Sequence, residues 1–235
     1  MDRKDQLIVA VDTETYDEAA RLIEQLAGHL NWYKIGSKLF TREGPRVCDL
    51  VKQAGGKLFL DLKYHDIPNT VHGAVTSAME LDVSMLTLHA SGGPDMLNQA
   101  RKAVEEAGKP DVILVAVTVL TSFNADAFVS QFGSDRTPED MVVALATIAR
   151  ESGMNGVVAS ARELRMIKER VGEDFVVVTP GIRLPDAGKD DQTRVVTPEA
   201  AIADGSDYLV VGRPIIAAPD PAVACRAIIE RMNTV

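Results

Sequence analysis

The chain has 235 residues, 34 of them acidic and 25 basic, for a formal net charge of -9, and 46% of it is hydrophobic. That balance is ordinary for a folded globular protein and excludes a disordered chain. It also argues against a surface built for nucleic acid or an anionic membrane, because both need clustered surplus cations, while leaving room for a local cationic pocket.

In chain order, eight short β-rich runs are predicted to be strands: residues 7–12, 32–36, 57–63, 83–89, 112–118, 156–159, 175–179 and 208–212. They recur about every 29 residues, the length of a strand–helix unit. Several are nearly continuous apolar runs, as expected for parallel strands covered on both faces. The residues from Met1 to Leu7 are charged and run into the first strand rather than into a signal-peptide core. No apolar run approaches the roughly 18–20 residues of a membrane span.

Tyr16, Ala19, Ala20, Ile23 and Leu26 recur at helical spacing after the first strand, and Val71, Ala74, Val75, Ala78 and Leu81 do so after the third. Thr137-Pro138 and Thr197-Pro198 each place a capping hydroxyl before a proline at the first helical position, and Ser160-Ala161-Arg162-Glu163 reads as a capping box. Gly205 is expected to close the seventh helix, and the last helix to cover about residues 221–232. Cys48 and Cys225 lie in apolar contexts without CxxC spacing, which predicts buried reduced thiols and a cytoplasmic protein. With no internal repeat or linker, residues 1–235 are expected to form one domain. Eight unbroken βα units predict a closed (β/α)8 TIM barrel, with an open doubly wound sheet as the alternative.

In such a barrel, catalytic groups sit at the C-terminal strand ends and in the loops that follow. The third strand reads Lys57-Leu58-Phe59-Leu60-Asp61-Leu62-Lys63. Alternation puts Phe59, Asp61 and Lys63 on one face and the three leucines on the other. An aspartate and a lysine inside an apolar strand are costly unless they pair. Lys34 lies in the second strand and Asp12 ends the first, so three consecutive strands end in opposite charges. Packed together, these charges hold each lysine protonated and each aspartate ionised, presenting a proton donor beside a fixed negative charge.

Pro180-Gly181-Ile182-Arg183 follows the seventh strand and Gly212-Arg213-Pro214 the eighth, the two places where many barrels hold a phosphate. Glycine lets the backbone approach an anion, and arginine supplies a planar fork of donors. The aperiodic stretch 184–192 is expected to be either a lid over that phosphate or a plain surface loop. His65 and His72 flank the charged strand without metal-site spacing, so solvated or capping roles are expected for them. His89 and Ser91-Gly92-Gly93-Pro94 read as a tight turn into a helix. The residues alone point to a barrel enzyme acting on a small phosphorylated substrate by Lys/Asp acid–base chemistry.

The segment Asp61-Leu62-Lys63-Tyr64-His65-Asp66-Ile67-Pro68-Asn69-Thr70 closely resembles the orotidine 5'-phosphate decarboxylase family. The likeness continues through Val9-Ala10-Val11-Asp12, Tyr33-Lys34-Ile35-Gly36, Leu120-Thr121-Ser122, Thr179-Pro180-Gly181-Ile182-Arg183, Asp191-Gln192 and Val211-Gly212-Arg213-Pro214. The DxKxxD core is shared with sibling sugar-phosphate enzymes, whereas its combination with Lys34, PGIR, DDQ and VGRP is specific.

The resemblance implies a (β/α)8 barrel, a homodimer, and neither metal nor organic cofactor. It implies that Lys63 gives a proton to pyrimidine C6 as CO2 leaves, and that Asp61 lies beside the substrate carboxylate, with Lys34 and Asp66 completing the charge array. Asp66, Ile67 and Thr70 would reach into the partner's site. Asp12 and Lys34 would hold ribose hydroxyls and Thr121 the pyrimidine edge. Pro180, Arg183, Gln192, Gly212 and Arg213 would complete the substrate site on the phosphate side.

Two other readings stay open. One is a metal-dependent sugar-phosphate lyase of the same superfamily, a hexulose-phosphate synthase or ketogulonate-phosphate decarboxylase, which places an acidic metal ligand where Lys34 stands. The other is a non-catalytic binder of a phosphoribosyl ligand, which does not need Lys34, Asp61, Lys63 and Asp66 together.

Overall fold

Eight strands run parallel: β1 (Leu7–Ala10), β2 (Trp32–Gly36), β3 (Lys57–Tyr64), β4 (Val83–His89), β5 (Ile113–Val117), β6 (Gly156–Val158), β7 (Val176–Thr179) and β8 (Tyr208–Val211). In this computed structural model, which describes residues 2–122, 128, 130, 137–184 and 196–235, each strand pairs with the next and β8 pairs with β1. The barrel is therefore closed, and the open doubly wound sheet is ruled out. The first ladder ends two residues earlier than the sequence predicts. Val11 still donates to the Lys34 carbonyl at 2.9 Å, but Asp12 folds back onto the Ala10 carbonyl at 3.0 Å, turning the chain outward at the rim.

The helices start where the capping residues stand. Thr15 and Glu18 form a reciprocal box before helix Tyr16–Leu26, and Thr137 and Asp140 another before Pro138–Glu151. Thr197 caps Pro198–Ala203, and Asp220 caps Pro221–Met232. The Ser160–Glu163 box caps a single 3-10 turn that feeds helix Leu164–Val171, rather than the helix itself. Ala19, Ile23 and Leu26 are buried as their spacing predicts, and Leu22 joins them. In Pro68–Met79 the buried residues are Val71, Val75, Ala78 and Met79, while Leu81 lies beyond the helix end.

Period-two alternation divides the core into two parts. Ile8, Trp32, Phe59, Met85, Val115, Val178 and Tyr208 fill the barrel, with Trp32 and Tyr208 meeting edge-on at 5.4 Å between ring centroids. Their strand neighbours, such as Val9, Tyr33, Leu58, Leu60 and Leu86, face outward and pack under the helices. β3 thus sends Phe59 inward, and the same parity carried along the strand puts Asp61 inside at the mouth. Between β6 and β7 the backbones are so close that a Cβ on Gly156 would lie 2.1 Å from the Val176 carbonyl oxygen. Only glycine permits that pairing.

Cys48 and Cys225 are buried and unpaired, and burial pushes their thiols up to about 12 and about 11. Among the described residues, no helix is long and apolar enough to cross a membrane.

The end of the barrel opposite the mouth is held by a buried lysine. Lys168 Nζ donates to the carbonyls of Glu173 and Phe175, each at 2.9 Å, and to Asp207 Oδ2 at 2.8 Å. The same carboxylate oxygen accepts from the Val177 backbone at 2.7 Å, tying the starts of β7 and β8 together. Lys168→Met leaves these acceptors without their shared donor. Urea unfolding should show a loss of about 2–4 kcal/mol; an unchanged midpoint would mean that the clamp contributes nothing.

Candidate active site

The C-terminal mouth of the barrel holds a cavity of about 480 Å³. Asp12, Lys34, Asp61 and Lys63 line one side, above a floor that includes Phe59, Val158 and Val178. Pro180, Gly181, Arg183, Gly212 and Arg213 line the other side, and Thr121 also borders the cavity. Strand ends from the first half of the chain therefore face loops from the second half across one space.

Asp61 is the hub. It is 7% exposed, and both of its carboxylate oxygens lie 2.9 Å from Lys63 Nζ. Lys34 Nζ stands 3.2 Å from Oδ2 and 3.6 Å from Asp12 Oδ1. Gly36 leaves space for this cluster, since a Cβ there would come within 3.0 Å of Lys34 Nζ.

Burial by itself pushes the Asp61 carboxyl up. The charges of Lys34 and Lys63, with hydrogen bonds from Lys63 and Thr87, outweigh it and hold the group below its ordinary range. Lys34 shows the converse. Burial pulls its ammonium down, but Asp61 and Asp12 more than restore it and leave it raised.

The backbone around Lys63 is irregular. Leu60 of β3 pairs with Leu86 of β4, yet Tyr64 pairs with Leu88, so β3 carries extra residues between the two pairs. This bulge, of the kind that re-aims side chains beside active sites, contains Lys63 at φ 54°, in the left-handed region. Such a conformation costs a non-glycine residue roughly 1–3 kcal/mol. The Lys63 amide finds its acceptor in the Thr87 side chain, with Oγ1 at 2.9 Å. The motif pattern does not pick out Thr87, although its hydroxyl on the inner face of β4, two residues before His89, is the available signal.

At the far side, Arg183 is buried and its Nη1 donates to the Ile182 carbonyl at 2.8 Å. The Arg183 amide donates to the Val196 carbonyl at 3.0 Å, and Ile182 and Val196 form a bridge. That bridge pins the residues flanking 185–195 at the rim of the cavity. The predicted lid beyond Leu184, and Gln192 within it, lie outside the described residues.

Asp66, Ile67 and Thr70 do not join the cavity of their own chain. All three are exposed, and Ile67 is 67% exposed. Asp66 Oδ1 accepts from the Ile67 amide at 2.6 Å, and the Thr70 amide donates to the Ile67 carbonyl at 3.0 Å, which fixes this corner before helix Pro68–Met79. His72 bonds Glu106 at 2.9 Å, and His65 stacks against His89 with centroids 5.3 Å apart. Among the described residues, no three His, Cys, Asp or Glu side chains converge as a metal site.

The model of the Orotidine 5'-phosphate decarboxylase / HUMPS family matches residues 5–228. The chain belongs to this family. It is 45% identical over 239 residues to the orotidine 5'-phosphate decarboxylase of Moorella thermoacetica, covering 100% of this chain and 95% of the relative. It is 48% identical over 225 residues to the corresponding protein of Legionella pneumophila (strain Corby), covering 96% and 98% of the two chains. The crystal structure of orotidine 5'-phosphate decarboxylase from Lactobacillus acidophilus matches with a TM-score of 0.86 at 36% identity, over 97% of this chain and 99% of that one.

The charge array sets a pH window. The depressed Asp61 carboxyl contributes stability that is full above its ordinary value of 3.8 and is lost as pH falls through its folded value. The raised Lys34 ammonium contributes stability that is full below its ordinary value of 10.5 and is lost as pH rises through its folded value. Carbon-13 NMR of the Asp61 carboxyl should give a midpoint below 3.8 in the parent protein and a higher one in Lys34→Met. Equal midpoints would remove Lys34 as a cause.

Proposed function

We propose that this protein converts orotidine 5'-phosphate to UMP and CO2, the last step of de novo pyrimidine nucleotide synthesis. The observation that carries this reading is one cavity with the Lys34–Asp61–Lys63 array on one side and Arg183 and Arg213 on the other. Membership of the family and the full-length relatives named as this decarboxylase support it.

Loss of CO2 from C6 of the pyrimidine leaves a carbanion with no ready electron sink. An adjacent ammonium offsets that charge as it develops, and Lys63 then delivers its proton to C6. Ionised Asp61, bonded to Lys63 through both oxygens at 2.9 Å, holds the proton donor in place. Arg183 and Arg213, with Pro180, Gly212 and Gln192, take the phosphate side. Asp12 and Lys34 take the ribose hydroxyls, and Thr121 the pyrimidine edge. Binding energy from the phosphate, remote from C6, positions the ring against Lys63. Side chains alone carry this chemistry, without metal or organic cofactor.

The metal-dependent sugar-phosphate alternative needs an acidic ligand at position 34. Here an ammonium stands 3.2 Å from Asp61, where it repels a second cation. A binder without catalysis gains nothing from holding Lys63 in a costly backbone conformation beside a buried carboxylate.

The working unit is proposed to be a homodimer in which Asp66, Ile67 and Thr70 enter the partner's site. Their exposure outside their own cavity, Ile67 above all, supports this. The two free buried thiols suit a reducing cytoplasm. The acidic balance argues against nucleic acid or an anionic membrane as a partner.

With orotidine 5'-phosphate in EDTA, the purified protein should turn over as loss of orotate absorbance; no turnover sinks the reading, and metal-rescued turnover of a sugar phosphate supports the alternative. Lys63→Ala should abolish turnover while sparing UMP binding. Arg213→Ala should raise KM roughly ten- to a hundredfold, for a charged contact worth about 1.5–3 kcal/mol. Mixing Asp66→Ala with Lys63→Ala protein should restore activity through hybrid dimers. Failure despite demonstrated subunit exchange would put Asp66 in its own chain's site.

A further inference from the structure

We propose that Thr87 is a positioning residue for the decarboxylation: its buried hydroxyl, clamped between the Asp61 carboxylate and the Lys63 amide, fixes the proton donor relative to its counter-charge. This inference rests on the reaction proposed above and concerns how the chain holds the reacting lysine in place.

Thr87 lies on the inner face of β4 and is fully buried. Its Oγ1 is 2.9 Å from Asp61 Oδ1 and 2.9 Å from the Lys63 backbone nitrogen. The direction of both bonds is settled by the partners. A backbone N–H can only donate, so the hydroxyl oxygen accepts from Lys63. An ionised carboxylate can only accept, so the hydroxyl proton points to Asp61. One rigid, β-branched side chain thus bonds the backbone of the proton donor and the carboxylate that its ammonium faces.

The bulge explains why a side chain is needed there. Between the pairs Leu60–Leu86 and Tyr64–Leu88, β3 leaves the regular ladder, and the Lys63 amide donates to the Thr87 hydroxyl. The left-handed backbone at Lys63 brings its Nζ within 2.9 Å of both Asp61 oxygens. Released from Thr87, Lys63 can relax towards an ordinary extended conformation, and Asp61 gains freedom to rotate about its last torsion. Both changes loosen the placement of the ammonium, and small errors of placement at a reacting centre are costly in rate.

The charged and titratable groups around this hydroxyl are Asp61 and Lys63 from β3, Lys34 from β2 with Asp12 beyond it, and His89 two residues along β4. Thr87 differs from all of them in carrying no charge. It changes geometry, and it also favours the ionised form of Asp61 through a hydrogen bond.

The test compares Thr87→Val, Thr87→Ala and Thr87→Ser by steady-state decarboxylation of orotidine 5'-phosphate and by calorimetric UMP binding. Serine, which keeps the hydroxyl, should hold kcat within about threefold, while valine and alanine should lower it about ten- to a hundredfold. UMP affinity should be unchanged in all three, because the phosphate grip is remote from β4. The acid limb of the kcat profile should move to higher pH in valine and alanine but not in serine. If valine does not fold, the contrast between serine and alanine decides. Valine at parental kcat, or serine as slow as alanine, overturns the role of the hydroxyl while leaving the reaction standing. A parent protein inactive on orotidine 5'-phosphate overturns the reaction and this inference with it.

Discussion

The structure turns on a carboxylate taken out of water between two ammonium groups. Asp61 alone at that depth would give up its charge, because burial pushes its pKa up, and Lys34 alone would tend to lose its proton for the same reason. With Lys34 Nζ 3.2 Å from Asp61, these two hold each other charged, and Lys63 Nζ joins them 2.9 Å from the carboxylate. The cost of desolvating such a cluster is offset only when geometry is good and the remaining lone pairs are bonded. That requirement accounts for the absence of a Cβ at Gly36, the hydroxyl of Thr87 and the bulge that lets Lys63 turn back on its own strand.

Barrel closure is the second constraint, and it serves the first. The C-terminal ends of β2 and β3 carry Lys34, Asp61 and Lys63 and the turn after β1 carries Asp12, while the loops after β7 and β8 carry Arg183 and Arg213. In an open sheet with strands in chain order these groups would sit at opposite ends. The β8–β1 pairing joins the two edges and makes one cavity of them. An anionic nucleotide spanning that cavity meets phosphate-gripping cations at one end and a proton donor at the other. The net charge of -9 belongs to the rest of the surface. There, exposed pairs such as Lys38–Glu14 and Arg165–Asp204 contribute little each.

Much of this is legible in the sequence. The eight strands stand within two residues of where apolar runs and punctuation put them, and the caps at Thr137, Thr197 and Ser160 are where their residue types predict. These features depend on local chemistry, on side-chain period and on orphan amides that a nearby hydroxyl satisfies. Asp61, Lys63 and Lys34 were legible for a related reason, since a charge inside an apolar strand needs a partner. Thr87 was not, because threonine is an ordinary strand residue and its value comes from what stands opposite it on β3.

The sequence by itself determined the order and type of the elements, the parity that turns Asp61 inward, and the family to which the motifs belong. The tertiary structure decided that the sheet closes, that β3 bulges at Lys63, and that Asp66, Ile67 and Thr70 lie exposed outside their own chain's cavity. The division has a physical cause. Local propensity and hydrophobic period are carried by neighbours in the chain, whereas closure, bulges and shared hydrogen bonds depend on contacts between residues far apart in sequence. Only the folded barrel brings those residues within a bond's length.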